Sequence, residues 1–104
     1  DKLLILDKGK VIDYGRKEDL FRKYCGRAVI VTDNCERNRS FLEKNKKLAS
    51  PAHLLAVSCE TQEQEEQVSR LLLQNNVNYK RSNSDIEMIY INARASRVGE
   101  EEAK

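Results

Sequence analysis

The feature that most constrains this chain is an alternation of strand-like and helix-like patterns. Two β-prone apolar runs, Ala28-Val29-Ile30-Val31-Thr32 and Leu54-Leu55-Ala56-Val57-Ser58-Cys59, are each followed by a capping-box spacing and an amphipathic segment. After the first run, Asp33 is placed to cap a helix, with Glu36 three residues on. That helix is expected to run to about Ala49, with Phe41, Leu42 and Leu48 on one side, until Ser50-Pro51 stops it. After the second run, Thr61 and Gln64 repeat the spacing, Val68, Leu71 and Leu72 form the stripe, and Asn75-Asn76 ends the helix. A short, exposed strand over Val77-Asn78-Tyr79-Lys80-Arg81 comes next. Ile86, Ile89, Tyr90 and Ala93 then recur at helical spacing and predict a last helix, capped by Ser84 or Asp85. Such alternation favours the α/β class, here a small sandwich of helices packed on a sheet. The expected core is Val29, Val31, Leu42, Leu48, Leu55, Val57, Val68, Leu71, Leu72, Ile86, Ile89 and Tyr90.

The N-terminal segment reads differently. Leu3-Leu4-Ile5-Leu6 is continuously apolar, Asp7-Lys8-Gly9-Lys10 is a turn, and Val11-Ile12-Asp13-Tyr14-Gly15 is a second strand, so the segment predicts a hairpin. Gly9 supplies the positive φ of the turn. A first strand apolar at every position is expected to be buried on both faces, and in this chain one face should lack its cover. A short helix over residues 17–24 follows, with acids early, bases late and Leu20, Phe21 and Tyr24 on one stripe. Gly26 is a plausible left-handed cap for it.

Composition narrows the function classes. Charged residues are 35% of the 104, so the core is expected to be thin. Nineteen basic residues face 17 acidic ones, a net charge of +2, which exerts no global pull on nucleic acid or anionic lipid. No apolar run approaches the ~20 residues needed to span a bilayer, and no signal peptide is visible. The chain opens at Asp1, without Met, inside a strand-like run, which reads as a boundary within a longer protein. Cys25, Cys35 and Cys59 are odd in number and form no CxxC pair, so reduced thiols in a cytosolic setting fit best.

Chemical motifs are sparse. There is no GxxxxGKS/T loop, no GxGxxG and no GxSxG elbow. His53, the single histidine, has no carboxylate or cysteine at a fixed helical offset and reads as an ordinary loop or strand-start residue after Pro51. Glu60, Glu63, Glu65 and Glu66 could be taken for a cation site, but glutamates in a first helical turn answer the helix dipole. Lys44, Lys46, Lys47, Lys80 and Arg81 could meet phosphate, but acids offset them and aromatics for base stacking are few. Cys59 reads as a small apolar filler on its strand. No catalytic, cofactor-binding or metal-binding residue is therefore assigned.

The run from Asp1 to Gly15, Asp-Lys-Leu-Leu-Ile-Leu-Asp-Lys-Gly-Lys-Val-Ile-Asp-Tyr-Gly, closely resembles the end of an ABC-transporter ATP-binding domain. In that family a hairpin of this pattern comes shortly after the switch histidine and leads into a T/S-P-E-E-L helix start. Arg16-Lys17-Glu18-Asp19-Leu20 keeps the acid pair and the Leu but lacks the capping Thr/Ser and the Pro. Asp85-Ile86-Glu87-Met88-Ile89-Tyr90-Ile91 resembles the S-L-E-D-V-F-L helix that closes the C-terminal accessory domain of many exporter-type ATPases. The preceding Leu71-Leu72-Leu73 and Val77-Asn78-Tyr79 match that layout, and the middle matches only in element order.

The resemblance implies three segments: residues 1–26 as the terminal hairpin and helix of an ABC ATPase domain, 27–95 as an α/β accessory domain, and 96–104 as a charged, frayed tail. It implies that the phosphate loop, signature loop and switch histidine lie upstream, that ATP and Mg belong to that part, and that this chain is not itself an enzyme. The implied partners are the upstream ATPase domain and an ABC permease, with location at the inner face of the cell membrane through that permease. The first strand would pack on the ATPase body or on a second copy, so a homodimer is expected and nucleic acid is not. The rival readings are a small-ligand regulatory module and a nucleic-acid-binding appendage of a soluble ABC ATPase.

Overall fold

The computed structural model describes residues 2–45, 47–50 and 53–102. The elements are β1 (Lys2–Asp7), β2 (Lys10–Arg16), α1 (Lys17–Tyr24), β3 (Ala28–Asp33), α2 (Glu36–Leu42), β4 (Leu48–Ala49), β5 (Leu54–Cys59), α3 (Gln62–Gln74), β6 (Tyr79–Ser82) and α4 (Ile86–Glu102). The fold is mixed α/β, as the alternation predicts. β1 and β2 form a separate two-stranded ribbon, and the other strands form one antiparallel sheet in the order β4-β5-β3-β6. With β5 inserted between β3 and β4, the unit β3-α2-β4-β5-α3-β6 has the split βαβ, ferredoxin-like topology.

The two central strands explain their own composition. Side chains alternate across a strand, so a strand covered on both faces must be apolar at every position. Ile30, Leu55, Val57 and Cys59 point to one face, where they pack with Leu42 of α2 and Val68 and Leu72 of α3. Val29 and Ala56 point to the other face, where Met88, Ile89 and Ala93 of α4 cover them together with Leu20, Phe21 and Tyr24 of α1 and Ile5 of β1. The ribbon and the sheet thus share one of the two cores. Asn92 of α4 ties that side together: its Nδ2 donates to Ser58 Oγ at 2.8 Å, to the Tyr24 carbonyl at 3.1 Å and to Cys25 Sγ at 3.6 Å.

Helix ends follow local chemistry. Thr61 Oγ1 accepts the Gln64 N–H at 3.1 Å, and Gln64 Oε1 returns a bond to the Glu60 N–H at 2.9 Å, a reciprocal cap on α3. At its other end Asn76 sits at φ 58°, and Val77 N–H reaches the Leu72 carbonyl at 2.9 Å, a Schellman closure with Val77 and Leu72 in the same core. α1 closes on Gly26 at φ 80°, as expected, and a Cβ there would lie 2.6 Å from Glu60 Cα. Asp85 Oδ1 caps α4 through the Met88 N–H at 3.0 Å.

Several expectations are corrected. α2 is capped by Cys35, with no side-chain bond, rather than by Asp33, which ends β3. It stops at Leu42 instead of reaching Ala49, because Asn45 bonds the Leu42 carbonyl through both its backbone N–H and its Nδ2. Leu48 and Ala49 are strand β4, satisfying the outer edge of β5 opposite Val57 and Ala56. The last short strand begins at Tyr79, since Val77 belongs to the α3 closure. Ile86 is 42% exposed, and Met88 is fully buried in its place. Val31, Leu48, Leu71 and Tyr90 are only half-buried. Pro51, read as a helix stop, and Lys46 lie outside the described residues.

Candidate interaction surface

The ribbon presents the most unusual surface. Its turn is Lys8-Gly9, with φ of 52° and 78°, so both central residues take the left-handed conformation that a primed two-residue turn requires. Gly9 adopts it without steric cost; Lys8 is the residue the sequence pattern did not single out. The strands pair Leu4 with Tyr14 and Ile5 with Asp13, and then Leu6 with Val11. The register shift between Ile5 and Leu6 is a β-bulge that leaves Ile12 without a partner.

The bulge decides what the ribbon shows. With simple alternation, Val11 and Asp13 would share one face and Ile12 and Tyr14 the other. The extra residue turns Ile12 and Asp13 toward α1 and α4, while Val11 and Tyr14 both point away. Ile12 packs against the Ile5 core. Asp13 accepts from Lys23 Nζ at 2.7 Å and from Tyr24 Oη at 2.6 Å. The bond from Lys23, then that from Tyr24, holds the Asp13 carboxyl down to about 2. On the far face Leu4 is 48% exposed, Leu6 43%, Val11 61% and Tyr14 59%. Two cross-strand apolar pairs, Leu4–Tyr14 and Leu6–Val11, therefore lie side by side in solvent, whereas Ile5 between them is fully buried. A contiguous apolar patch on one side of a small domain is the signature of a contact surface.

The other residues weighed from sequence are distributed as follows. His53 is exposed at the start of β5, where its carbonyl accepts the Asn34 N–H at 3.2 Å. Of the glutamates, Glu65 accepts from Arg27 at 2.9 Å and Arg81 at 2.6 Å, Glu60 pairs with Lys47 at 2.7 Å, and Glu66 accepts from Gln62 at 3.1 Å. Arg81 foremost, with Arg27, holds the Glu65 carboxyl below its usual range. Among the described residues no group of three metal-ligating side chains converges. Lys47 also donates to the Tyr24 carbonyl at 3.0 Å, and Lys80 is exposed on β6. An open cleft of about 460 Å³ is lined by Arg22, Lys23, Gly26, Arg27, Lys47 and Glu60, most of whose charges are already paired. Burial pushes the Cys59 thiol up to about 11, so it stays protonated as a filler. Cys25 is buried beside Asn92, and Cys35 is exposed.

The sequence pattern did reveal that β1 has one apolar face too many. It did not reveal that β2 contributes Val11 and Tyr14 to the same patch, because the bulge has no signature beyond an ordinary alternation. Among the described residues no helix is long and apolar enough to cross a membrane. No family model, no curated protein and no solved structure matches this chain.

Proposed function

We propose that this chain is a non-catalytic C-terminal accessory domain of the ATP-binding subunit of an ABC transporter, seated on the upstream ATP-binding domain through the outer face of its ribbon. The observation that carries the reading is the patch of Leu4, Leu6, Val11 and Tyr14, exposed in the very segment whose residues resemble the end of such a domain. A neighbour that covered these four side chains would complete the burial that the apolar run of β1 calls for. ATP and Mg would be held upstream, and contact with a permease would bring the domain to the inner face of the membrane. The domain's physical contribution would be a rigid packing surface, since α1 and α4 lock the ribbon onto the sheet. A second copy could dock only through the same four side chains and so would compete with that seam.

The test is to read the coding sequence upstream of Asp1. A phosphate loop, an Asp-Glu pair and a histidine shortly before Asp1 are expected. An unrelated domain there would overturn the reading.

A further inference from the structure

The charges around the outer face say what kind of surface it meets. Lys2 lies directly opposite Arg16 in the ribbon. By strand alternation both share the face of Leu4 and Tyr14, and both are exposed. Like charges directly opposite on a strand pair are destabilising unless something answers them. Among the described residues of the ribbon no carboxylate on that face does. The bulge turns Asp13 inward onto Lys23 and Tyr24. Asp7, the other described carboxylate of the ribbon, stands opposite Lys10 and shares the side of Leu3 and Ile5. Lys2 Nζ leans over the Tyr14 ring, 5.9 Å from its centroid, and Lys8 adds an exposed cation at the turn. The face is thus an apolar centre with the Lys2–Arg16 pair at one end and the exposed Lys8 of the turn beyond the other.

We propose that this face docks on a protein surface with an apolar centre and carboxylates set to meet the Lys2–Arg16 pair. A second copy of the chain fits poorly. Stacking two such faces sets cation against cation whichever ends meet, so self-association is opposed at low salt and eased by screening. An anionic bilayer spreads negative charge over Glu18 and Asp19, exposed in the first turn of α1 beside Arg16, as well as over the pair, whereas a protein surface can set its carboxylates at Lys2 and Arg16 alone. The proposal rests on reading the face as a protein seam, and not on which protein supplies the other side.

The chain can be made into its own stand-in partner. The double variant Lys2→Glu/Arg16→Glu keeps the apolar centre and carries acids at the rim, both at exposed positions. Matching circular dichroism and melting temperature would show that it folds. Mixed with the wild-type chain at low salt (about 50 mM), the two should form a one-to-one complex by sedimentation velocity, weakened at least about tenfold at high salt (about 500 mM). Leu4→Asp in either chain should abolish it. Three results would overturn the proposal: no complex in the mixture, wild-type chain that self-associates as tightly as the mixture at low salt, or wild-type chain that co-sediments with phosphatidylserine vesicles while the double variant does not. None of these bears on whether an ATP-binding domain lies upstream.

Discussion

β1 and the central strands β3 and β5 carry the same signature, an unbroken apolar run, yet they end in different surroundings. Both faces of β3 and β5 are covered by the chain's own helices, α2 and α3 on one side and α4 with α1 on the other. β1 has only its Ile5 side covered, by α1 and α4, while Leu4 and Leu6 stay in solvent. A continuous run therefore reports how many faces a strand is built to bury. It does not say which neighbours bury them. Where the domain provides one neighbour and the strand is written for two, an apolar face is left in solvent.

The comparison breaks most sharply at the inner side of the ribbon. Ile5→Ala should destabilise the chain by about 2–5 kcal/mol, as Leu55→Ala should in the sheet, because both residues are fully buried. Chemical denaturation of the two variants checks this. An Ile5→Ala effect near zero would mean that the ribbon is only loosely appended. Asn92→Ala comes next, at about 1–3 kcal/mol, since it takes the donor from Ser58 Oγ and leaves the Tyr24 carbonyl with Lys47 alone where α4 joins both halves.

Asp13 tests the bulge itself. Its carboxyl has an ordinary value of 3.8 and about 2 in the folded chain, so its stabilising effect is complete above the higher value. The effect is lost as pH falls from 3.8 toward about 2. Asp13→Asn should cost about 1 kcal/mol near neutral pH, with Lys23 well exposed and screened, and the gap to wild type should close across that acid window. A gap unchanged down to pH about 2 would show that the Asp13–Lys23–Tyr24 contact contributes nothing. Smallest of all, Leu4→Ser on the outer face should shift the stability of the isolated chain by no more than about 0.5 kcal/mol, measured by thermal melting. A large loss there would mean that the chain already buries that face.

Much of the fold was legible because short-range chemistry decided it. The reciprocal cap at Thr61 and Gln64, the Asn75-Asn76 end of α3, the Gly26 closure of α1 and the β-branched runs of β3 and β5 each depend on residues close in sequence. The stripe of α4 was read one step off its true centre for a physical reason. Ser58 and Tyr24 offer Asn92 hydrogen-bond partners on the inner side, so the buried side is centred on Met88, Ile89, Asn92 and Ala93 and leaves Ile86 outside. The length of α2 was misread because the competing partner for Leu48 and Ala49 is β5, which begins several residues later.

By itself the amino-acid sequence determined the α/β class, the hairpin with its turn at Gly9, most helix ends and the existence of a strand with one apolar face in excess. Only the tertiary structure decided the rest. It set β5 between β3 and β4, packed the ribbon into a core shared with α4, and placed the bulge that turns Asp13 inward and sends Val11 and Tyr14 to the side of Leu4 and Leu6. Those outcomes depend on which distant groups bury one another and which polar atoms find partners there. Local propensity carries no record of either.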